Sequence, residues 1–558
     1  MTVVARAYTS PTLVLLAYDW AAGHDRADFL GFAIERTPGF DGASSSWLPN
    51  RIGFNGPPPE QGDLPSNVAP IQKFYWWDAR ITDADRGTTF TYQVTPLVGS
   101  PSSLTLLGEQ GCAIQVVIPH IEEDGIGSYF NRAVVSSQAF SAEFPVLDTP
   151  AQQEAARAWL ANGMQLAVPE FLDRARKDAI DGAIYHLTDD TWIVPALQSH
   201  PGEVSLTYNH TRSDTSSDAA INALVVAGRP TEDFHPRTHA HIMHNKFLVR
   251  VGDDGAAEAV LAGSANFTPE GLSAQANVLH TFESPDLAAL YLQRVQQLSA
   301  DPSLAATQRS QTGWSDSITV GDATIRVFFP PEPKDSRESL DTVVAAINAA
   351  QQSVLLCAFD PTDSALLDAV FAAADAGKMM LALVNRVADT APGGDPSRAD
   401  VAAEIAIMDR AEKDHDVAGF SGFKANDTPT GFAPERILWP GESPKIMVRV
   451  HHKFVVIDAE TEHPVVFTGS ANFSGNSLHN NDENLLEITD CPRLAGMYMA
   501  EFLRLFEHYR ARMAFDRRAA GDPDAFTLTG DNSWTTPYYA SGSPDSKARQ
   551  AMAATTSP

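Results

Sequence analysis

The 558-residue sequence predicts a multi-domain fold, an N-terminal β-sandwich followed by two duplicated α/β lobes of the α-β-α sandwich kind. Three observations predict it. Residues 1–120 read as short β-branched and aromatic runs cut by Gly, Pro, Asn and Asp. Helix and strand then alternate. Finally, "MHNKFLVRVGDDGAAEAVLAGSANFT" from Met243 returns from Val450 as "VHHKFVVIDAETEHPVVFTGSANFS", a period too long for a solenoid and right for a doubled domain. The length is too great for one core, and with 44% hydrophobic and 20% charged residues the composition is that of a folded globular chain.

Taken in order, the sandwich strands are "TLVLLAYDW", "FLGFAIERT", "KFYWWDARI", "TTFTYQVTPLVG" and "CAIQVVIPH". The pairing of "LGFAIERT" with "TFTYQVTPLVG" resembles a fibronectin type III module. The opening "MTVVARAYTSPTLVLLAYDW" is too short and too interrupted for a leader or a membrane span and reads as a strand. No other stretch reaches the roughly 18 apolar residues of a membrane helix. A soluble, cytoplasmic protein without membrane insertion is therefore expected. Alternation in "FYWW" (Phe74 to Trp77) gives half of these rings to the core and leaves a small exposed patch.

The first lobe is expected over 121–312, with Thr149-Pro150 starting an amphipathic helix and "AIDGAIYHL" a buried strand that ends at an Asp189-Asp190 cap. The second is expected over 313–513, with a helix near Ser339 to Ala350, the strand "SVLLCAF", a helix from Asp363 to Gly377 and the strand "MLALVN". Residues 514–558 are polar and turn-rich, and predict a surface-packed tail with little regular structure.

Forty basic against 70 acidic residues give a net charge of -30. That opposes non-specific attraction to duplex nucleic acid and to anionic lipid surfaces. Cys112, Cys357 and Cys491 lie far apart with no C-x-x-C spacing, so neither a disulfide framework nor a zinc site is suggested. His235, His239 and His241 lack the acidic or thiol companions of a metal site and read as a polar loop near the cleft. No cofactor and no metal are expected.

Chemistry enters with the repeated segment. Read as a strand, "VHHKFVVID" puts His451 and Lys453 on one face and His452, Phe454 and Val456 on the core face. His244 and Lys246 are presented in the same way by the first copy. The following loops add Ser264 and Asn266, and Ser470 and Asn472, as donors suited to the non-bridging oxygens of a phosphate. One neutral imidazole can attack phosphorus while the opposite imidazolium protonates the leaving oxygen, and no metal is required.

This arrangement resembles the phospholipase D superfamily, whose pattern is H-x-K, four residues, D, then G-S-x-N. His451, Lys453, Asp458, Gly469, Ser470 and Asn472 match it fully, whereas the first copy has Val251 at the Asp position. Asp458 lies off the His451/Lys453 face and is expected to be structural, with Asp253 or Asp254 as its stand-in in the first copy. The resemblance implies two lobes that form one active site and cleave or transfer phosphodiesters.

It also implies a carboxylate after G-S-x-N that orients the catalytic imidazole. "NNDENLLEI" supplies Glu483, beside Asn481, and in "SAQANVLH" Ala276 is taken to hold the Glu position with Gln275 beside it. Analogy to the superfamily makes His244 the nucleophile and His451 the general acid. The expected substrate is a phosphodiester, phospholipid being favoured and single-stranded nucleic acid the alternative. Phosphatidyl transfer and a degenerate scaffold are the remaining readings.

Overall fold

Extended segments dominate the N-terminal region, and they pair into two main sheets and a small ribbon of Pro49–Asn50 with Leu64–Pro65. The computed structural model describes residues 2–56, 62–390, 392–444, 447–518 and 526–553. One sheet joins Val4–Ser10, Leu13–Asp19 and Tyr75–Asp78. The other is ordered Cys112–Val117, Thr89–Ser100, Phe29–Thr37, Ser46–Trp47, with Ser103–Leu106 paired to Thr89–Ser100. Leu16 and Tyr18 of the first sheet share one buried cluster with Phe32, Ile34, Tyr92 and Val94 of the second. The opening segment is thus two antiparallel strands turned at Pro11-Thr12, where the sequence suggested one.

Two eight-stranded sheets follow, and they repeat each other strand for strand. In the first the order is Glu122–Glu123, Ile126–Phe130, Val278–Phe282, Ala257–Gly263, Lys246–Val251, Ala179–Ile184, Val204–Asn209, Phe234–Arg237. In the second it is Ile318–Val320, Ala323–Phe328, Leu485–Thr489, Val465–Gly469, Lys453–Ile457, Ser353–Ala358, Met379–Val384, Val417–Gly419. The strand carrying Lys246 or Lys453 sits mid-sheet, buried at every position. Local signals place the helices. Thr149 and Gln152 form a capping box at Pro150–Ala161, and Asp363 accepts from the Leu366 amide at the start of Ser364–Asp375. Asp189 accepts from the Trp192 and Ile193 amides.

The lobes close on each other face to face. Phe247 and Val249 of one sheet and Phe454 and Val456 of the other belong to a single apolar cluster, with Leu494, Tyr498, Phe502 and Phe506 of the long helix Pro492–Asp516. That helix also holds the sandwich. Ser10 and Thr12 donate to its buried Glu501 (2.7 and 2.8 Å), and Tyr75 donates to its buried Glu507 (2.5 Å), which also binds Lys73.

The C-terminal stretch departs from expectation. It forms Asn532–Thr535, Thr536–Tyr539 and the helix Pro544–Ala553, and Trp534 and Tyr538 enter the sandwich core, with the Trp534 indole donating to the Phe29 carbonyl (3.1 Å). Two buried aromatic side chains contribute about 2–3 kcal/mol each, which outweighs the polarity of the residues around them. Among the described residues no helix is long and apolar enough to cross a membrane.

Candidate active site

Both catalytic-type histidines sit just before their strands rather than in them, the strands beginning at Lys246 and Lys453. Exchanges between the lobes fix them there. The His244 amide donates to the Asp482 carbonyl (2.9 Å) and the Asp482 amide to the Ile242 carbonyl (3.0 Å). Correspondingly, the Ala276 amide donates to the Arg449 carbonyl (2.7 Å) and the His451 amide to the Ala276 carbonyl (3.1 Å). Each imidazole is therefore pinned by the backbone that follows the other lobe's G-S-A-N loop.

Side chains repeat the exchange. His244 Nδ1 donates to Glu483 Oε2 (2.8 Å), and His451 Nδ1 donates to Asn277 Oδ1 (2.9 Å). Asn277, not Ala276, thus occupies the place of Glu483 in the first copy. Both lie fourteen residues after the glycine of G-S-A-N, a count from Gly263 and Gly469 that would have found it. Ala276 instead corresponds to Asp482, one residue earlier, where the lobes exchange backbone bonds.

The serines take a different role from the one expected. Ser470 donates to Glu483 Oε2 (2.6 Å) and Ser264 to Asn277 Oδ1 (2.9 Å). Their hydroxyls hold the groups that hold the imidazoles, so they are positioning residues and their protons are not offered to an anion. Asn481 and Ser477 also donate to Glu483, through Oε1 (3.1 and 3.0 Å). The side chains of Asn266 and Asn472 make no hydrogen bond among the described residues, and their buried Oδ1 atoms have no partner. Both glycines abut the neighbouring strand, where a Cβ would run into the Val278 carbonyl at Gly263 and the Asn484 carbonyl at Gly469.

Lys246 and Lys453 are fully buried, and each donates to the carbonyl of the histidine two residues earlier, Lys453 at 2.7 Å. Tyr185 and Phe359, which directly follow the adjacent strands Ala179–Ile184 and Ser353–Ala358, back the two pairs. Their rings lie 5.0 Å from His244 and 5.5 Å from His451, and 5.1 and 5.7 Å from the ammonium groups. Sequence reading missed both aromatics, although each directly follows a buried strand in its copy. His452 packs between Phe130 and Phe454, as expected of a core residue.

Asp458 points away from the site and accepts from the Gln351, Gln352 and Ser353 amides. Val251, its counterpart, lies in the apolar core. Neither candidate stand-in replaces it: Asp253 pairs with exposed Lys177, and Asp254 accepts from the Ala256 amide within its own turn. In the histidine-rich loop, His239 pairs with Asp301 (2.7 Å).

Two lysines and two histidines share this buried region with one carboxylate, and the electrostatics follow. Burial pushes His244 down to about 4 against the pull of Glu483, and pushes Lys246 down to about 7. His451 falls well below the ordinary imidazole value through burial, then through the Lys453 and Lys246 charges; Lys453 falls through burial and then Lys246. Burial opposes ionisation of Glu483, but His244 and Lys246 hold it below the ordinary carboxylate range. The site is short of negative charge, and an anion beside them would favour the charged forms of Lys246, Lys453 and His451.

Residues 343–506 match the family described as cardiolipin synthase, PLD-like domain. That match lies within the second of the two lobes. The mitochondrial cardiolipin hydrolase of Xenopus laevis is 38% identical over 84 residues, 14% of this chain and 38% of that protein's length. Similar solved structures include phosphatidylserine synthase of Haemophilus influenzae, 12% identical with a TM-score of 0.43, covering 62% of this chain and 85% of that one. Another is the phospholipase D family member Nuc of Salmonella typhimurium, 20% identical with a TM-score of 0.21, covering 34% of this chain and 95% of that one.

Proposed function

We propose that the protein is a phosphodiesterase of the phospholipase D type that cleaves phospholipid head groups through a phosphohistidine. The observation that carries this reading is the crossed pairing of His244 with Glu483 and of His451 with Asn277, beside two buried lysines. The bond from His244 Nδ1–H to Glu483 leaves Nε2 with a lone pair for in-line attack. As the P–N bond forms the ring becomes cationic, and Glu483 stabilises that charge. His451, protonated once an anionic diester lies beside it, gives its proton to the departing alcohol oxygen. Its partner is a neutral amide, so it yields the proton more readily than His244 would. His451 then takes a proton from water, whose oxygen attacks phosphorus and breaks the P–N bond. Lys246, Lys453, Asn266 and Asn472 hold the non-bridging oxygens through these steps.

Phospholipid is favoured because the matched family and the Xenopus laevis relative are named for cardiolipin; the net charge of -30 opposes polynucleotide and anionic lipid surfaces alike, and so favours a zwitterionic head group. The family's description as a synthase favours a second reading, transfer to an alcohol in place of water. We read the sandwich as fibronectin type III-like, which its three-stranded sheet facing a five-stranded one supports.

Rapid quench into alkaline denaturant after mixing with phosphate-labelled phosphatidylcholine, or with a labelled oligonucleotide, tests the proposal by looking for an acid-labile label on the protein. Phosphatidylcholine should label the wild-type protein and not His244→Ala. Labelling by the oligonucleotide alone would make the protein a nuclease, and equal labelling of His244→Ala would remove the phosphohistidine.

A further inference from the structure

A cavity of about 740 Å³ lies where the sandwich, the stretch after Phe130, the long helix Pro492–Asp516 and the segment from Phe526 meet. None of the site's histidines, lysines or asparagines lines it. Its volume falls within the range of small-ligand sites.

Several aromatic rings stand among its walls. Trp76 and Trp77 stack at 5.1 Å with 17° between their planes, and Trp159, Phe432 and Phe526 add further rings. The exposed half of "FYWW" is therefore cavity lining.

The charges that line it are unevenly matched. Lys73 is paired with Glu507, Arg504 with Glu501 and Arg512 with Glu435. Arg132 has no carboxylate within ion-pair distance among the described residues. Its guanidinium lies over the Trp159 ring at 4.5 Å, and Nη1 donates to the Trp159 carbonyl (2.8 Å). Burial, then the neighbouring Arg504 charge, lowers its pKa to about 10. In a chain with a net charge of -30, a half-buried cation left over in an apolar cavity is chemistry for an anion with an apolar body.

We propose that this cavity binds an alkyl-chain amphiphile with one anionic head, the head on Arg132 and the chain along Trp76, Trp77 and Trp159. A fatty carboxylate and an alkyl phosphate monoester share that chemistry.

Titration of the full-length protein with decanoate, decyl phosphate, decanol and decyltrimethylammonium, each below its micelle concentration, tests it by calorimetry and tryptophan fluorescence. At least one anion should bind one-to-one and about tenfold more tightly than the alcohol or the cation, and the tighter anion identifies the head group. Arg132→Gln should weaken that binding about tenfold. Ala139→Trp, at an exposed position on the cavity wall, should block it without touching the Arg132 contacts. His244→Ala should bind as wild type, which separates this cavity from the catalytic cleft whatever becomes of the reaction proposed there. Binding of decanol as tight as that of the anions, no binding of either anion, wild-type affinity in Ala139→Trp, or loss of binding in His244→Ala would each overturn the proposal.

Discussion

The two lobes share a strand order and an H-x-K pair, yet they lend each other different partners: the second gives a carboxylate to His244, the first an amide to His451. Near-symmetric scaffolding thus holds two imidazoles of unequal character. In the proposed reaction, this one Glu/Asn difference is what divides the labour between nucleophile and acid.

Removing an imidazole should have the largest effect and should differ by lobe. His244→Ala is expected to lower turnover by about 10³-fold or more on any diester, because no P–N bond can form. His451→Ala should be as damaging with an alkyl leaving group, but with p-nitrophenolate, which departs without a proton, its first-turnover burst should survive while hydrolysis of the phosphohistidine slows. Burst and steady-state rates on both substrate types check this; loss of the burst in both variants would erase the assigned asymmetry.

The partners come next. Glu483→Gln loses a charge-assisted bond and should cost about 10²-fold in kcat, whereas Asn277→Ala loses a neutral one and should cost about tenfold. A larger loss at Asn277 would reverse the roles of the lobes.

The acid limb of the pH profile sharpens the comparison further. A nucleophilic His244 must be neutral, and its value is lowered to about 4, while the acid His451 gains its proton only below the ordinary imidazole range, so kcat/KM should not fall as pH drops from neutrality and should be lost as pH passes about 4. Glu483 raises that value, so Glu483→Gln should move the limb to lower pH. A shift to higher pH would contradict the pairing.

How much of this was legible in the sequence depends on whether the signal was local or crossed the lobes. Thr149, Asp189 and Asp363 announce helices through their own neighbours, and the repeated G-S-A-N announces the duplication. Glu483 was visible as a carboxylate, but its service to His244, 239 residues away, was not. Ser264 and Ser470 looked like anion donors because a hydroxyl's direction is set by the strand beside it, which the sequence does not display. Trp534 and Tyr538 were hidden in a polar stretch whose burial depends on a sandwich more than 400 residues earlier.

The smallest effect on catalysis is expected at the other lobe difference, Asp458 against Val251. Asp458 collects three successive backbone amides ahead of the strand Ser353–Ala358, so Asp458→Ala strands donors rather than chemistry. It should cost about 2 kcal/mol of stability while kcat stays within about threefold of wild type. The first lobe needs no such carboxylate, because the corresponding turn sends the Asp178 amide to the Ala175 carbonyl (2.8 Å) and Val251 fills core instead. Val251→Asp would bury an unpaired charge there and should destabilise more than Asp458→Ala does. Thermal unfolding of the two variants, read beside their rates, decides whether this aspartate belongs to the fold or to the reaction.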